Sequence, residues 1–292
     1  MAATLEGGGD VFHPQGFDPE ERAQPKFLVA RYRSQKENVH RNERQGIIAL
    51  SIDMNGSQPP EDGHSGMNVV ALVAAFNEAL TIGDVVRQVR SHVDHVVVVD
   101  DGSTDNTSDR ALEAGAEVLR HARNLGKGAA IRTGLDLVLG RPHTHVLFLD
   151  GDLQHAPDDA PALIAAAQRG DGDLVLGERP FDFHTMPRSR YYTNCISSWV
   201  ISVFFIGQRV GDAQSGFRLV ASSALRKLHL TGNRYEIETE MLIKLARRGA
   251  RIARVPITLR YQGAPSKLRP LRDTTRTCFL AVRYRFFPER FQ

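Results

Sequence analysis

The strongest constraint in this chain is a repeated pairing, in which a short apolar run is followed at once by a cluster of acidic and amide side chains. Asn68-Val69-Val70-Ala71-Leu72-Val73-Ala74-Ala75 leads into Asn77-Glu78, Val96 to Val99 into Asp100-Asp101-Gly102-Ser103, and Val146-Leu147-Phe148-Leu149 into Asp150-Gly151-Asp152. Leu174-Val175-Leu176 is a fourth run. Unbroken apolar runs of this length are those of strands buried on both faces. Between them, residues 79–91, 105–115, 127–139 and 158–169 carry helical spacing with few breakers. Strand and helix in alternation predict an α/β fold, a mostly parallel central sheet with helices on both faces. In such sheets the chemistry gathers at the C-terminal strand ends, which is where the polar clusters fall.

The pattern starts abruptly at Met67, a candidate start of the fold and of translation. Residues 1–66, with Gly7 to Gly9, Pro59-Pro60 and scattered charges, read as a poorly patterned N-terminal extension, and Gly46 to Leu50 is its one isolated strand candidate. Residues 67–292 contain no repeat, so the expected organisation is a single catalytic domain over 67–270 and a basic, aromatic tail over 271–292. With 41% hydrophobic and 24% charged residues in 292, the chain is neither a stapled miniprotein nor wholly disordered. Its two cysteines, Cys195 and Cys278, are too distant for a C-x-x-C pair, and the first residues lack a signal-peptide pattern. A reducing, cytoplasmic setting is expected. The net charge of +3 hides a division, since residues 251–292 hold ten Lys/Arg against Asp273 and Glu289. Such a tail suits nucleic acid, an anionic membrane or a phosphorylated substrate.

Asp150-Gly151-Asp152-Leu153-Gln154 places two carboxylates and an amide carbonyl within five residues, a donor set for Mg²⁺ or Mn²⁺ that leaves positions for substrate phosphates. The competing reading is a solvated Asp-Gly turn. In Asp100 to Asp105, Ser103, Thr104 and Asp105 suit a turn and helix cap, while Asp100 and Asp101 are expected to bind a nucleobase or ribose. Asn124-Leu125-Gly126-Lys127-Gly128 precedes a helix, so its N–H groups and Lys127 could meet an anion. It lacks the Walker A spacing. Asp212 to Arg218 and Tyr261 to Lys267 are turns ending in a cation; with Arg179, Arg188 and Arg190 they could hold several phosphates. Tyr235 to Met241 opens a helix running to about Arg248 whose acidic first turn suits the helix dipole.

Taken in order, Val73-Ala74-Ala75-Phe76-Asn77-Glu78, Val97 to Asp105, Asn124 to Gly128, Asp150 to His155, Ser215 to Arg218 and Gly263 to Lys267 resemble the motifs of family 2 glycosyltransferases. The likeness covers about residues 67–270 and is greatest to the dolichyl-phosphate mannose synthase and polyprenyl-phosphate glycosyltransferase branch. It implies a GT-A fold and inverting, metal-dependent transfer of a hexose from a UDP-glucose or GDP-mannose type donor to a polyprenyl or dolichyl phosphate. Ala74, Asn77, Glu78, Asp100 and Asp101 would then surround the nucleoside, and Asp150, Asp152 and Gln154 would hold Mg²⁺ or Mn²⁺. The resemblance also assigns Arg179, one of Arg188 or Arg190, and Ser215 to the acceptor phosphate. Arg218, Lys127 and Lys267 would steady phosphates, and Asp152 and Arg218 are the residues expected at the reaction centre. The proline and tyrosine usual before Asn-Glu are here Ala74 and Phe76. Processive synthases carry Q-x-x-R-W, whereas the single tryptophan, Trp199, lies in Ser197-Ser198-Trp199-Val200.

An anionic lipid phosphate needs no strong general base; a hydroxyl acceptor would, with Glu238 or Glu240 as candidates. A soluble-acceptor glycosyltransferase and, more remotely, a sugar nucleotidyltransferase are the alternatives. No recognised nucleic-acid motif accompanies the basic tail, and a nucleic-acid binder would leave the acidic clusters unexplained. Tyr191 to Gln208 is an 18-residue stretch without charge. Diluted by Asn194, Ser197, Ser198 and Ser202, it reads as a helix at the bilayer interface rather than a span. With the tail, it predicts peripheral attachment to the cytoplasmic face of a membrane.

Overall fold

The computed structural model describes residues 28–30, 37–42, 47–52, 66–179, 188–207 and 209–259. Its strands are β1 (Leu28–Ala30), β2 (Glu37–Asn42), β3 (Ile47–Ile52), β4 (Val69–Ala75), β5 (His95–Asp100), β6 (Glu117–His121), β7 (His145–Asp150), β8 (Leu174–Glu178), β9 (Arg218–Ala221) and β10 (Ile252–Pro256). The helices are α1 (Ile82–Arg90), α2 (Thr107–Glu113), α3 (Lys127–Val138), α4 (Ala160–Gln168), α5 (Arg188–Ile201), α6 (Ser222–Leu225) and α7 (Glu236–Arg247).

One sheet runs in the order β1-β2-β3-β6-β5-β4-β7-β9-β8-β10. β6, β5, β4 and β7 are mutually parallel, as are β8 and β10, while β9 lies antiparallel between β7 and β8. The first strand read from the sequence, β4, is central, with β5 and β7 on either side. In register, Ala75 faces Asp100 and Ala74 faces Asp150, so three of the polar clusters emerge side by side from one sheet end.

Residues of β4 divide by period two between the two cores. Val69, Ala71, Val73 and Ala75 pack with α1, α2 and α4 through Ile82, Val85, Ala111 and Leu163. Val70 and Leu72 pack on the other side with α3 and α7 through Ile131, Leu135, Met241 and Leu242. On α1, Ile82, Val85, Val86 and Val89 form one buried stripe, each side chain worth roughly 1.5–3 kcal/mol on burial. α2, α3, α4 and α7 all fall within the stretches expected to be helical.

Several elements escape the apolar-run signal. β6 reads Glu-Val-Leu-Arg-His and β10 Ile-Ala-Arg-Val-Pro, both alternating in character. Within residues 1–66 the strand candidate at Gly46 to Leu50 overlaps β3 (Ile47–Ile52), and two further strands accompany it: β1 pairs with β2, β2 with β3, and β3 with the β6 edge, all antiparallel. α5 continues through a π-helical turn over Ser202–Ile206 and ends at Gly207 in the left-handed region. Among the described residues, no helix is long and apolar enough to cross a membrane. The tail over 271–292, Lys267 and the Gly263 to Lys267 turn lie outside the described residues.

Candidate active site

The site is assembled around the end of β7. Asp150 closes that strand, and Asp152 follows in a turn held by the Gln154 N–H donating to the Asp152 carboxylate (3.0 Å) and by Leu153 at φ 57°. Asp150 is bound on one side by the Lys127 ammonium at 2.5 Å, and Lys127 also meets Glu238 of α7 at 2.5 Å. Both carboxylates and the amine are largely buried. Gly216 lets the chain before β9 close over this triad: a Cβ there would stand 2.8 Å from Asp150 Oδ2 and 3.1 Å from Lys127 Nζ.

The electrostatics of the two aspartates differ sharply. Burial would raise the Asp150 carboxyl, but the Lys127 charge outweighs it and holds the group below the usual range. Asp152 is pushed up to about 6, first by burial and then by the charges of Asp150 and Glu78, with the Gln154 N–H opposing. Lys127 is raised because Asp150 and Glu238 outweigh its burial, and Glu238 is raised chiefly by burial. The region around Asp152 is short of positive charge.

Around this centre sit the other strand-end residues. Ala74 lies beside Asp150, and its carbonyl accepts the Gly151 N–H at 3.3 Å. Asn77 is exposed at φ 53°; its side-chain oxygen accepts the Thr104 N–H at 2.9 Å, and its own N–H donates to Ser103 Oγ at 2.8 Å. The Glu78 N–H donates to Thr107 Oγ1 at 2.9 Å, leaving the side chain on the Asp152 side of the turn. Ser103, Thr104 and Asp105 thus organise the loop as turn residues, but neither Ser103 nor Thr104 caps α2, whose N-cap is Asn106 without a side-chain cap bond.

Five of the expected ligand groups have partners within the protein. Asp100 is fully buried, accepting the Ser103 N–H (2.8 Å) and the Ser108 hydroxyl, with Arg120 at 3.7 Å. Asp101 is 2% exposed and accepts the Leu125 and Gly126 N–H groups at 2.9 and 2.7 Å, with His121 at 2.7 Å. Asp101 fastens the loop after β5 to the loop before α3, and Asp100 ties the strand end to its own turn and to α2, because a buried carboxylate must find donors. Arg218 is 1% exposed and donates to the carbonyls of Ser215 and Glu238, while burial lowers its pKa. Ser215 is fully buried and accepts the Phe217 N–H at 3.3 Å. The start of α3 is likewise occupied: the Asn233 carbonyl accepts the Gly128 N–H at 2.9 Å, so that amide does not await an anion. These are internal clamps that hold the site's walls.

Arg179, just past β8, grips the buried Asp212 through Nε and Nη2, the latter at 3.0 Å. For Arg188 and Arg190 the structure gives only their place in the first turn of α5. Two participants had no role assigned from sequence. Asp212 opens the very segment that carries Ser215 and Arg218, but its pairing with Arg179 spans 33 residues. His155, directly after Gln154, is 7% exposed, stacks on Phe217 at 5.9 Å and has no hydrogen-bond partner among the described residues on either ring nitrogen. Burial, with Arg179 nearby, lowers its pKa to about 4 and keeps it neutral.

A parallel sheet with acidic clusters at the ends of three adjacent strands agrees with the resemblance in the motifs, and comparison with known proteins decides it. A family model described as glycosyl transferase family 2 matches residues 70–229, more than half of the chain. The chain belongs to glycosyl transferase family 2. It is 32% identical over 216 residues to "UDP-N-acetylglucosamine--dolichyl-phosphate N-acetylglucosaminyltransferase" of Methanococcus voltae, covering 66% of this chain and 86% of that protein. To the undecaprenyl-phosphate mannosyltransferase of Micrococcus luteus it is 30% identical over 208 residues, covering 66% and 83%. The crystal structure of glucosyl-3-phosphoglycerate synthase from Mycobacterium tuberculosis in complex with uridine diphosphate superposes with a TM-score of 0.62 at 24% identity, over 75% of this chain and 80% of that one. This family 2 glycosyltransferase has the GT-A fold, and polyprenyl-phosphate glycosyltransferases are among its homologues.

Proposed function

We propose that this glycosyltransferase moves a hexose from a nucleotide-diphosphate sugar of the UDP-glucose or GDP-mannose type to a polyprenyl or dolichyl phosphate, inverting the anomeric centre. The observation that carries the reading is the charge arrangement at the end of β7: two adjacent aspartates, one neutralised by Lys127 and the other left with its carboxyl pushed up to about 6. Asp150, Asp152 and Gln154 would hold a divalent cation, Mg²⁺ or Mn²⁺. The fit lies in the donor chemistry, all oxygen, and in negative charge that the protein leaves uncompensated around Asp152. Among the described residues no group of three or more His, Cys, Asp or Glu is placed to hold a metal ion; the reading rests on the two aspartates and the Gln154 amide. Such a cation would offset the charge on the departing nucleoside diphosphate.

The chain's own groups bind and orient. Ala74, Asn77 and Glu78 at the end of β4 would contact the nucleoside. Asp100 and Asp101 would serve it by fixing the loops over 101–105 and 124–128. Lys127 holds Asp150 in its ionised form, and Arg218 and Ser215 shape the wall behind it. Arg179, with Arg188 or Arg190 and Lys267, would receive the acceptor phosphate and hold it for in-line attack on the anomeric carbon. The bond from that carbon to the β-phosphate oxygen breaks as the bond to the acceptor phosphate oxygen forms. The acceptor is already an anion, so no proton need be removed. In keeping with this, Glu240 is fully buried, accepting the Thr231 and Gly232 N–H groups and pairing with Lys244, and Glu238 is tied to Lys127.

The two relatives differ by name in the sugar but share a polyprenyl-type phosphate acceptor, which favours the lipid reading over a soluble hydroxyl acceptor. The matching location is the cytoplasmic face of a membrane, with peripheral attachment. The test is transfer from a panel of radiolabelled sugar nucleotides to polyprenyl phosphate, with product partitioned between organic and aqueous phases. Label in the organic phase is expected; label that stays aqueous with a soluble acceptor would replace this reading by the alternative.

A further inference from the structure

α5 and its π-helical turn are amphipathic in the sense opposite to a helix that faces water. The side packed against the protein carries Asn194, Ser197, Ser198 and Ser202, all at least nine-tenths buried, beside Ile201. The outward side carries Tyr192, Ile196, Trp199, Val203 and Phe204, each 54–60% exposed. Positions 192, 196, 199 and 203 share one helical face, and Phe204 extends it, its ring edge-on to Trp199 at 6.3 Å. Contiguous apolar surface of this kind marks a contact surface.

Two features select the occupant. No Asp or Glu occurs from 183 to 211, while Arg188 and Arg190 open the helix and Arg209 follows it, so the apolar stripe is bracketed by cations at both ends. That is the composition of a helix lying in an anionic lipid interface. The second is position. Ser202 Oγ accepts the Val210 N–H at 2.8 Å and Ser198 Oγ accepts the Ala213 N–H at 3.1 Å. The same 210–213 segment contains Asp212, which grips Arg179, and Gly211, whose N–H donates to Glu178 at 2.6 Å. The buried serines thus lock the helix to the segment that orients the expected acceptor arginine.

We propose that the outward stripe of α5, Tyr192, Ile196, Trp199, Val203 and Phe204, is the face on which the enzyme seats on an anionic bilayer, and that seating brings Arg179 to the level of the lipid phosphates. This deepens the lipid-phosphate reading and rests on it for its purpose, though not for its measurement.

Trp199 is the only tryptophan in the chain and half of the stripe's centre, so its fluorescence reports the contact directly. With vesicles of phosphatidylcholine and phosphatidylglycerol, its emission is expected to shift to the blue and to be quenched by brominated acyl chains. An Ile196→Glu/Val203→Glu double variant, with Ile196→Ser/Val203→Ser as the milder control for folding, is expected to lose both effects. It should also lose at least tenfold in transfer to vesicle-embedded polyprenyl phosphate while keeping transfer to a water-soluble short-chain prenyl phosphate. Unshifted emission with anionic vesicles overturns the proposal. So does a shift that appears without lipid and tracks a dimer mass by light scattering, since the occupant would then be a second copy. Failure of the functional reading looks different: vesicle binding persists, but no sugar nucleotide labels any lipid phosphate.

Discussion

At the scale of single residues, one buried cation holds two carboxylates of the site together. Lys127 answers both Asp150 and Glu238, two largely buried carboxylates that would otherwise face each other. Removing one partner of a buried pair leaves an uncompensated charge, which costs about 3–5 kcal/mol. Lys127→Ala is therefore expected to lower stability by about that amount in urea titration at neutral pH, and Glu238→Gln in the same background to restore part of it. Equal midpoints for wild type and Lys127→Ala would contradict the triad. The sequence marked Lys127, Asp150 and Glu238 separately, as anion contact, metal ligand and possible base. It could not show them as one cluster, because the Lys127–Glu238 contact spans the fold. Asp100 and Asp101 read as ligand groups because their position at a strand end was legible, whereas the groups that meet them were not: Ser103, Ser108 and Arg120 of β6 for Asp100, and the N–H groups of Leu125 and Gly126 for Asp101.

At the scale of elements, α3 is docked by its N-terminus. Gly126 sits at φ 102°, and a Cβ there would come within 2.3 Å of the Asn233 carbonyl, which itself accepts the first free N–H groups of the helix at Gly128 and Ala129. Gly126→Ala has both a left-handed backbone and a collision to overcome, so a loss greater than about 1 kcal/mol is expected in thermal or urea unfolding. A neutral effect would mean that this junction is looser than drawn. Elements buried on both faces, such as β4, β5 and β7, were legible because their apolar runs are continuous. β6, β9 and β10 were not, since their alternating or short sequences resemble loops until the neighbouring strands are in place. The antiparallel insertion of β9 between β7 and β8 is a property of the whole sheet and has no local signal. On α5 the sequence showed dilution of an uncharged stretch by serines; only the packing shows that the serines face inward and the aromatic and aliphatic side chains outward.

At the scale of the whole molecule, part of the acid stability arises away from the candidate site. Glu117 on β6 is held by Arg141 at 2.6 and 2.8 Å and by His95 of β5 at 2.9 Å. Burial would raise its carboxyl, but the His95 and Arg141 hydrogen bonds outweigh it and lower the pKa to about 2 from 4.5. A depressed carboxylate contributes stability that is complete above about pH 4.5 and is lost as pH falls toward about 2, roughly 3 kcal/mol over that window. Glu117→Gln is expected to flatten the pH dependence of unfolding there, and an unchanged slope would remove this assignment. The central claim concerns the other end of the sheet, that Asp150 and Asp152 form the cation-dependent donor site of a sugar transferase. Its most direct measurement is the initial rate of labelled-sugar transfer to polyprenyl phosphate, with and without Mg²⁺ or Mn²⁺, for wild type and for Asp152→Ala matched in far-ultraviolet circular dichroism. Transfer by wild type that chelator abolishes and added cation restores, together with at least a hundredfold loss in Asp152→Ala, is the predicted result. Turnover in Asp152→Ala equal to wild type, or a wild-type rate indifferent to chelator, would contradict it.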